Sequence, residues 1–312
     1  MCRNQRPCVI SPSHGPDDSA FALSWAAVTD AAERVDGYAP LNEQATLDLA
    51  AGRRAPFLLR DGDAAVGALV LGSGELDLVV HPGFRRHGHA TAALTELFGD
   101  PAYAVDAPDG LTAWAHGDHP AARALAGRFG FDAVRRLLQL ELALHASSAP
   151  PASAAPEEAS AREKDDAIVI TAFDAAADAD AWVTLNARTF ATHPEQGGIT
   201  AADLADRMNE AWFDAGDFLV ARVGDALVGY NWLKIEPGAA EGEIYVVGVS
   251  PEWSGHGLGR RLMTAGLERL RRRGATSATL YVEGDNVPAV RLYRSLGFTD
   301  RSVDVQYRRR TR

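Results

Sequence analysis

The chain has 312 residues, 46% of them hydrophobic and 23% charged, and a formal net charge of −11. That length suggests about two domains, and the composition is that of a globular protein with enough apolar residues for a core in each. The acidic balance disfavours nucleic acid as a partner, because the arginine runs at 271–273 and 308–310 are too short to build a basic face.

Cys2 and Cys8 lie in a polar, Pro/Ser-containing segment and give neither a disulfide framework nor a recognised metal spacing, so no metal is expected. Residues 1–20 lack the apolar core of a signal peptide, and no run approaches the roughly 18 apolar residues of a membrane span. A monomeric, cytoplasmic protein without membrane contact is expected.

In chain order, residues 1–20 read as disordered. Phe21 to Ala51 carries helical spacing in two pieces, broken near Gly37-Tyr-Ala-Pro40, with Asn42-Glu43-Gln44 opening the second. Strands are expected over Ala55–Arg60 and Ala65–Leu71, around the turn Asp61-Gly62-Asp63, and again over Glu75–Val80. A helix through Phe98 follows Arg85-Arg86-His87-Gly88-His89-Ala90. Then come a strand at Leu111–Ala115, a helix at Pro120–Arg128 and a strand at Ala133–Leu144.

A Pro/Ala/Ser/Glu-rich linker occupies 146–166, after which the pattern returns. Residues 167–173 start a strand, Asp178–Thr189 and Thr200–Trp212 are helical, and strands recur at 217–222, 226–235 and up to Val249. Val80 and Gly88 match Val249 and Gly257 at an offset of 169, and Gly130-Phe131 matches Gly297-Phe298 at 167. Two tandem copies of one α/β domain with a mixed sheet are expected, over 21–145 and 167–312.

Between the strand ending at Val249 and a helix marked by Leu258, Leu262, Leu267 and Leu270 lie Gly255, Gly257 and Gly259. Glycines there let backbone N–H groups close on an anion, which the helix dipole also favours. Neither the dinucleotide fingerprint nor the P-loop is present. Further on come a short strand (Thr279–Glu283), Asn286, a helix with Tyr293, and Leu296-Gly297-Phe298.

This pair of motifs resembles the GCN5-related N-acetyltransferase (GNAT) superfamily, whose acetyl-CoA loop is Q/R-x-x-G-x-G/A; Ser254 stands where Gln or Arg is usual. The resemblance implies that acetyl-CoA, as co-substrate, lies against Val247, Gly248 and Val249 and against the turn Ser254, Gly255, His256, Gly257. It also implies contacts to Leu258, Gly259 and Arg260, and to Asn286, Val287, Pro288, Ala289, Val290 and Arg291. In the first copy the matching positions are Leu78, Val79, Val80, Arg86, His87 and Gly88, with His89, Ala90 and Thr91 beyond them.

Acetyl transfer to an amine needs a base for the ammonium proton and an acid or equivalent for the departing thiolate. Glu243, near the start of the strand into the turn, is the candidate base, and Tyr293 the candidate acid. At the same offsets the first copy has Gly74 and Ala126, with His119 for Asn286. It is therefore expected to be non-catalytic.

His193-Pro-Glu-Gln-Gly-Gly198, Glu210-Ala-Trp-Phe-Asp214, Trp232-Leu-Lys234 and Tyr281-Val-Glu-Gly-Asp-Asn286 are similar to the mycothiol synthase family. So are Trp114-Ala-His-Gly117 and Ser302-Val-Asp304. That resemblance implies acetylation of the cysteinyl amine of a cysteine–glucosamine–inositol conjugate, a small pseudo-disaccharide, with Glu43, Glu195, Lys234, Glu243 and Tyr281 on the acceptor. Two rivals stand beside it. One is a GNAT enzyme for another small amine or a protein N-terminus, and the other an acetyl-CoA-binding regulatory module without turnover.

Overall fold

The computed structural model describes residues 9–12, 19–103, 107, 110–144, 168–191 and 196–310. The expected linker at 146–166 and the candidate Glu195 lie outside them. Chain contacts divide the protein into two units, Met1–Leu137 with Ser302–Arg312, and Leu138–Arg301. The boundaries fall inside two strands.

The first unit runs β1 (Val9–Pro12), α1 (Ser19–Asp36), α2 (Glu43–Ala50), β2 (Ala55–Asp61), β3 (Ala64–Gly72), β4 (Glu75–Val80), α3 (His89–Gly99), β5 (Thr112–Ala115), α4 (Pro120–Phe129) and into β6 (Phe131–Ala143). The second runs β7 (Ile168–Ala172), α5 (Ala175–Thr189), α6 (Ala201–Met208), β8 (Phe218–Val223), β9 (Ala226–Lys234), β10 (Glu241–Val249), α7 (Leu258–Arg272), β11 (Ser277–Glu283), α8 (Val287–Ser295) and into β12 (Thr299–Arg309). The two orders of elements are the same.

In the first unit β1, β2, β3 and β4 pair antiparallel in sequence. β5 joins β4 in parallel, and the tail of β12 pairs antiparallel with β5, Val305 opposite Ala115. Asp304 on that tail accepts from the Gly117 N–H at 2.9 Å, and its other oxygen lies 3.0 Å from His116 Nδ1. Two segments distant in sequence, Trp114–Gly117 and Ser302–Asp304, thus meet within one unit. The core gathers Leu59, Val66, Leu69, Leu76, Leu94 and Leu97 between sheet and α3.

In the second unit the order from Leu138 onward is β6, β11, β10, β9, β8, β7, with β10 and β11 parallel. Its sheet is covered on both faces, which is why β9 reads as a nearly unbroken apolar run. On one face Leu262, Met263, Leu267 and Leu270 of α7 bury against the strands, and Leu233, Ile244 and Leu280 join their cluster. On the other, Trp182 of α5 meets Phe218, Tyr230 and Trp232; the Phe218 and Trp232 rings stack at 4.4 Å. Burial of side chains this large contributes about 1.5–3 kcal/mol each.

Three local outcomes differ from the sequence reading. Within the segment read as disordered, Val9–Pro12 pairs with β2 and buries Ile10. The helix expected over Thr200–Trp212 stops at Met208, because Asn209 closes it and Trp212 turns into the aromatic cluster. β12, absent from the sequence reading, follows Phe298.

Candidate active site

The second unit opens a wedge in its own sheet. β10 and β11 pair in parallel from Glu241/Ser277 only as far as Ile244/Leu280, and beyond that the strands part. β9 and β10 show the reason: Ile244 faces Leu233 and Val246 faces Trp232, so Tyr245 is an extra residue, a β-bulge. The bulge reverses alternation. Ile244 packs in the Leu267 cluster, whereas Val246, two residues on, packs with Trp182 and Trp232 on the opposite face.

At the wide end of the wedge lies the glycine turn. Ser254, Gly255, His256 and Gly257 are exposed, and Gly255 and Gly257 have φ of +80° and +78°, a left-handed conformation that side chains disfavour. Gly257 is the N-cap of α7 and has no side chain with which to bond the first-turn N–H groups of Leu258, Gly259 and Arg260. Those donors and the helix dipole suit a phosphate-bearing co-substrate. Gly248 of β10 is close-packed, since a Cβ there would stand 2.6 Å from the ring of Tyr230.

Asn286 caps α8 through its side chain, which accepts from the Ala289 N–H at 3.3 Å; in the first turns of that helix Val287, Pro288 and Arg291 are exposed, while Ala289 and Val290 lean on the core. One turn deeper, Tyr293 is 6% exposed and its ring sits in the apolar cluster edge-on to Phe298. Burial pushes its pKa up to about 12, so it is a proton donor throughout the neutral range. Its hydroxyl has no hydrogen-bond partner among the described residues.

Glu243 lies two residues before the bulge, directly across from Lys234 in the β9–β10 register. Residues so paired share a face and stand ~4.5–5.5 Å apart at Cβ. Lys234 is 15% exposed; its Nζ lies 3.2 Å from Glu236 and 5.2 Å and 5.8 Å above the rings of Trp212 and Tyr245. The hydroxyl of Tyr245 accepts from Arg207 Nε at 3.2 Å. Tyr281, on β11, is exposed, and its hydroxyl accepts from Gln139 Nε2 at 2.9 Å.

The structure therefore brings Glu243 and Lys234 together beside an aromatic wall that the sequence reading missed. Trp212 stood in a segment singled out for resemblance, but nothing in the sequence placed Tyr245 or Arg207 beside the lysine. Glu195 is outside the described residues; its neighbour Gln196 is held through its carbonyl by Asn186 Nδ2 at 2.6 Å, and Asn186 in turn accepts from Tyr230 at 2.6 Å. Glu43 begins α2, whose cap is Asn42.

The first unit contains the same turn in altered form. Leu78, Val79 and Val80 end β4, Gly88 caps α3 at φ +88°, and His89, Ala90 and Thr91 open that helix. Arg86 takes the place of Gly255 and holds a left-handed φ of +68°. Arg85 is spent internally, on both oxygens of Asp36 at 2.7 Å and on the Val80 carbonyl. His119 caps α4 as Asn286 caps α8, through Ala121.

The bulge also corrects the match between the copies. β3 and β9 have identical length and burial pattern, so Gly72 corresponds to Lys234 and Leu71 to Leu233. Gly72 faces Glu75 and Leu71 faces Leu76 with no register shift. The parallel pairs agree, Glu75 with Thr112 and Glu243 with Thr279. The counterpart of Glu243 is therefore Glu75 rather than Gly74, which occupies the preceding turn. A fixed offset fails there because the second copy carries one more residue in its strand.

A splayed parallel pair beside an uncapped helix start is the acetyl-CoA-binding arrangement of the GNAT acetyltransferases. A profile described as "Acetyltransferase (GNAT) family" matches residues 182–298. A solved tandem GNAT protein from the clavulanic acid biosynthesis pathway shares the fold, with a TM-score of 0.66 at 18% identity over 96% of this chain and 97% of that one. More specific likeness comes from sequence. Over 290 residues the chain is 46% identical to the mycothiol acetyltransferase of Clavibacter sepedonicus, covering 91% of this chain and 90% of that protein. Against that of Clavibacter michiganensis subsp. michiganensis it is 45% identical over 287 residues, 90% and 89% of the two. The chain belongs to the mycothiol acetyltransferase family and is an acetyl-CoA-dependent acetyltransferase. Among the described residues no His/Cys/Asp/Glu group could hold a metal, and no helix is long and apolar enough to cross a membrane.

Proposed function

We propose that the chain acetylates the cysteinyl amine of a cysteine–glucosamine–inositol conjugate, completing mycothiol, and that the second unit does the chemistry. The observation that carries this is Glu243 on the bulged strand, at the narrow end of the wedge and directly across from the largely buried Lys234. Acetyl-CoA supplies the activated acyl group; the turn 254–260 and the start of α8 hold it through backbone donors. Glu243 takes the ammonium proton of the acceptor, directly or through water, so that the free amine attacks the thioester carbonyl. Tyr293, protonated at neutral pH, gives its proton to the sulfur as the carbon–sulfur bond breaks. No cysteine stands in either repeat, so transfer is direct rather than through a cysteinyl enzyme.

Lys234, Tyr281 and Glu195 belong to the acceptor side of the proposal, as donors and acceptors for a polyhydroxylated ligand. The first unit is non-catalytic in this reading, with Glu75 engaged by Arg54 and glycine in place of the lysine. A thioester and a free-thiol acceptor call for a reducing compartment, and the cytoplasm is the proposed location.

The test is acetyl-CoA consumption with the cysteinyl-glucosaminyl-inositol conjugate beside a panel of simple amines and peptide N-termini. Rapid turnover of the conjugate alone, lost in Glu243→Gln, is expected. Turnover of the other amines in its place would keep the enzyme class and discard the acceptor.

A further inference from the structure

We infer that Tyr245, Trp212 and Arg207 are positioning residues that hold the Lys234 ammonium in an aromatic clamp beside Glu243. The inference rests on the reading of Lys234 as an acceptor contact and goes beyond it, since it assigns the placement of that contact to Trp212, Tyr245 and Arg207. A lysine on a flexible stem loses much rotamer freedom when it meets a ligand, and restraining it beforehand removes that cost from binding. Here the restraint is visible. Nζ lies over two ring faces, Trp212 at 5.2 Å and Tyr245 at 5.8 Å, with Glu236 3.2 Å to one side.

Each part of the clamp is itself fixed. Trp212 is 7% exposed and packs on Trp232 and Tyr245. Tyr245 is pinned through its hydroxyl by Arg207, whose own Nη1 donates to the Asp203 carbonyl of α6 at 3.0 Å. Alternation from Glu243 puts Tyr245 on the face of Trp212 and Trp232, the face that Lys234 shares, and the bulge turns Val246 to that face as well, so that two successive side chains of β10 line it. The first unit has neither bulge nor lysine at these positions. Ring faces attract the ammonium through its charge and so hold it where the two rings meet.

The sequence offers a direct readout, because Lys164 and Lys234 are its only lysines. Lysine-selective ¹³C labelling of the full chain gives two Cε–Hε signals. In the wild type the Lys234 Hε protons are expected upfield of those of Lys164 through the ring currents, and Tyr245→Leu moves them toward the Lys164 position. With the conjugate as acceptor, Tyr245→Leu raises its KM about tenfold, leaves the KM for acetyl-CoA unchanged, and adds nothing in a Lys234→Met background. Tyr245→Phe keeps the ring and loses only the Arg207 tether, so it tests the tether with the aromatic cluster intact and is expected to raise the KM by about threefold. A Lys234 signal coincident with Lys164 in the wild type overturns the clamp, as does a Tyr245→Leu penalty that persists undiminished in Lys234→Met. Upfield protons in a protein that leaves the conjugate untouched support the clamp and overturn the acceptor assignment instead.

Discussion

Glu75 and Arg54 lie 3.2 Å apart in the first unit, at the register position that Glu243 holds in the second. Arg54 is wholly buried and also meets Asp77 at 2.5 Å, so the carboxylate that survives in the first copy is engaged by a buried arginine, where Glu243 stands across from Lys234. Glu75→Gln is therefore expected to leave turnover of the full chain unchanged. Arg54→Met strands the buried Asp77 and costs about 3–5 kcal/mol of stability, as breaking a buried pair does. Denaturant unfolding and steady-state rates on the same two variants check both halves; a large loss of kcat in Glu75→Gln would assign chemistry to the first unit.

Glu243→Gln keeps the shape of the side chain and removes its basicity. The expected loss in kcat is ~10²–10⁴-fold, with acetyl-CoA affinity unchanged because the turn at 254–260 is untouched. Isothermal titration beside single-turnover rates separates the two. A variant that turns over at the wild-type rate removes Glu243 from the base position.

Much of this arrangement was legible in the chain. The apolar runs of β4 and β10, the spacing of α7, and the glycines at 255 and 257 each report a local backbone requirement, and local requirements are written locally. What escaped were pairings. Val9–Pro12 is a strand because it pairs with β2, and Thr299–Arg309 pairs with β5 through its tail, although neither segment was read as a strand. The bulge at Tyr245 escaped for the same cause. It exists only in the register between β9 and β10, and without it Gly74 was taken for the counterpart of Glu243. Lys234 is one of two lysines in the chain, but its rings come from the turn after α6 and from β10, segments far apart in sequence.

Gly248→Ala tests the close packing behind the wedge. A Cβ at that position meets the Tyr230 ring at 2.6 Å, and Tyr230 is buried with its hydroxyl bonded to Asn186. Either β10 or the ring must shift, at about 1–3 kcal/mol of stability. Because Asn186 also holds the Gln196 carbonyl, the shift reaches the loop before α6. The KM for both acetyl-CoA and the acceptor is expected to rise. A variant with wild-type stability would mean that the ring gives way freely.

The buried tyrosine sets an alkaline limit. Tyr293 has its pKa pushed from 10.0 to about 12 by burial, so the folded state keeps a proton that the unfolded chain releases above pH 10. The stabilisation from keeping this phenol neutral is fully present below pH 10 and is lost as pH rises toward about 12. The loss across that window is roughly 2–3 kcal/mol for the one group. Tyr230 is raised in the same direction by the same cause and adds to the slope. In Tyr293→Phe the titrating group is gone, so stability should fall less steeply between pH 10 and 12, while at neutral pH kcat drops ~10²–10⁴-fold through loss of the proton for the thiolate. Urea midpoints across the alkaline range, wild type against Tyr293→Phe and Tyr230→Phe, give the two slopes separately. Identical slopes in wild type and Tyr293→Phe would show that this phenol ionises as readily in the fold as outside it, and would remove the basis for treating it as the protonated acid.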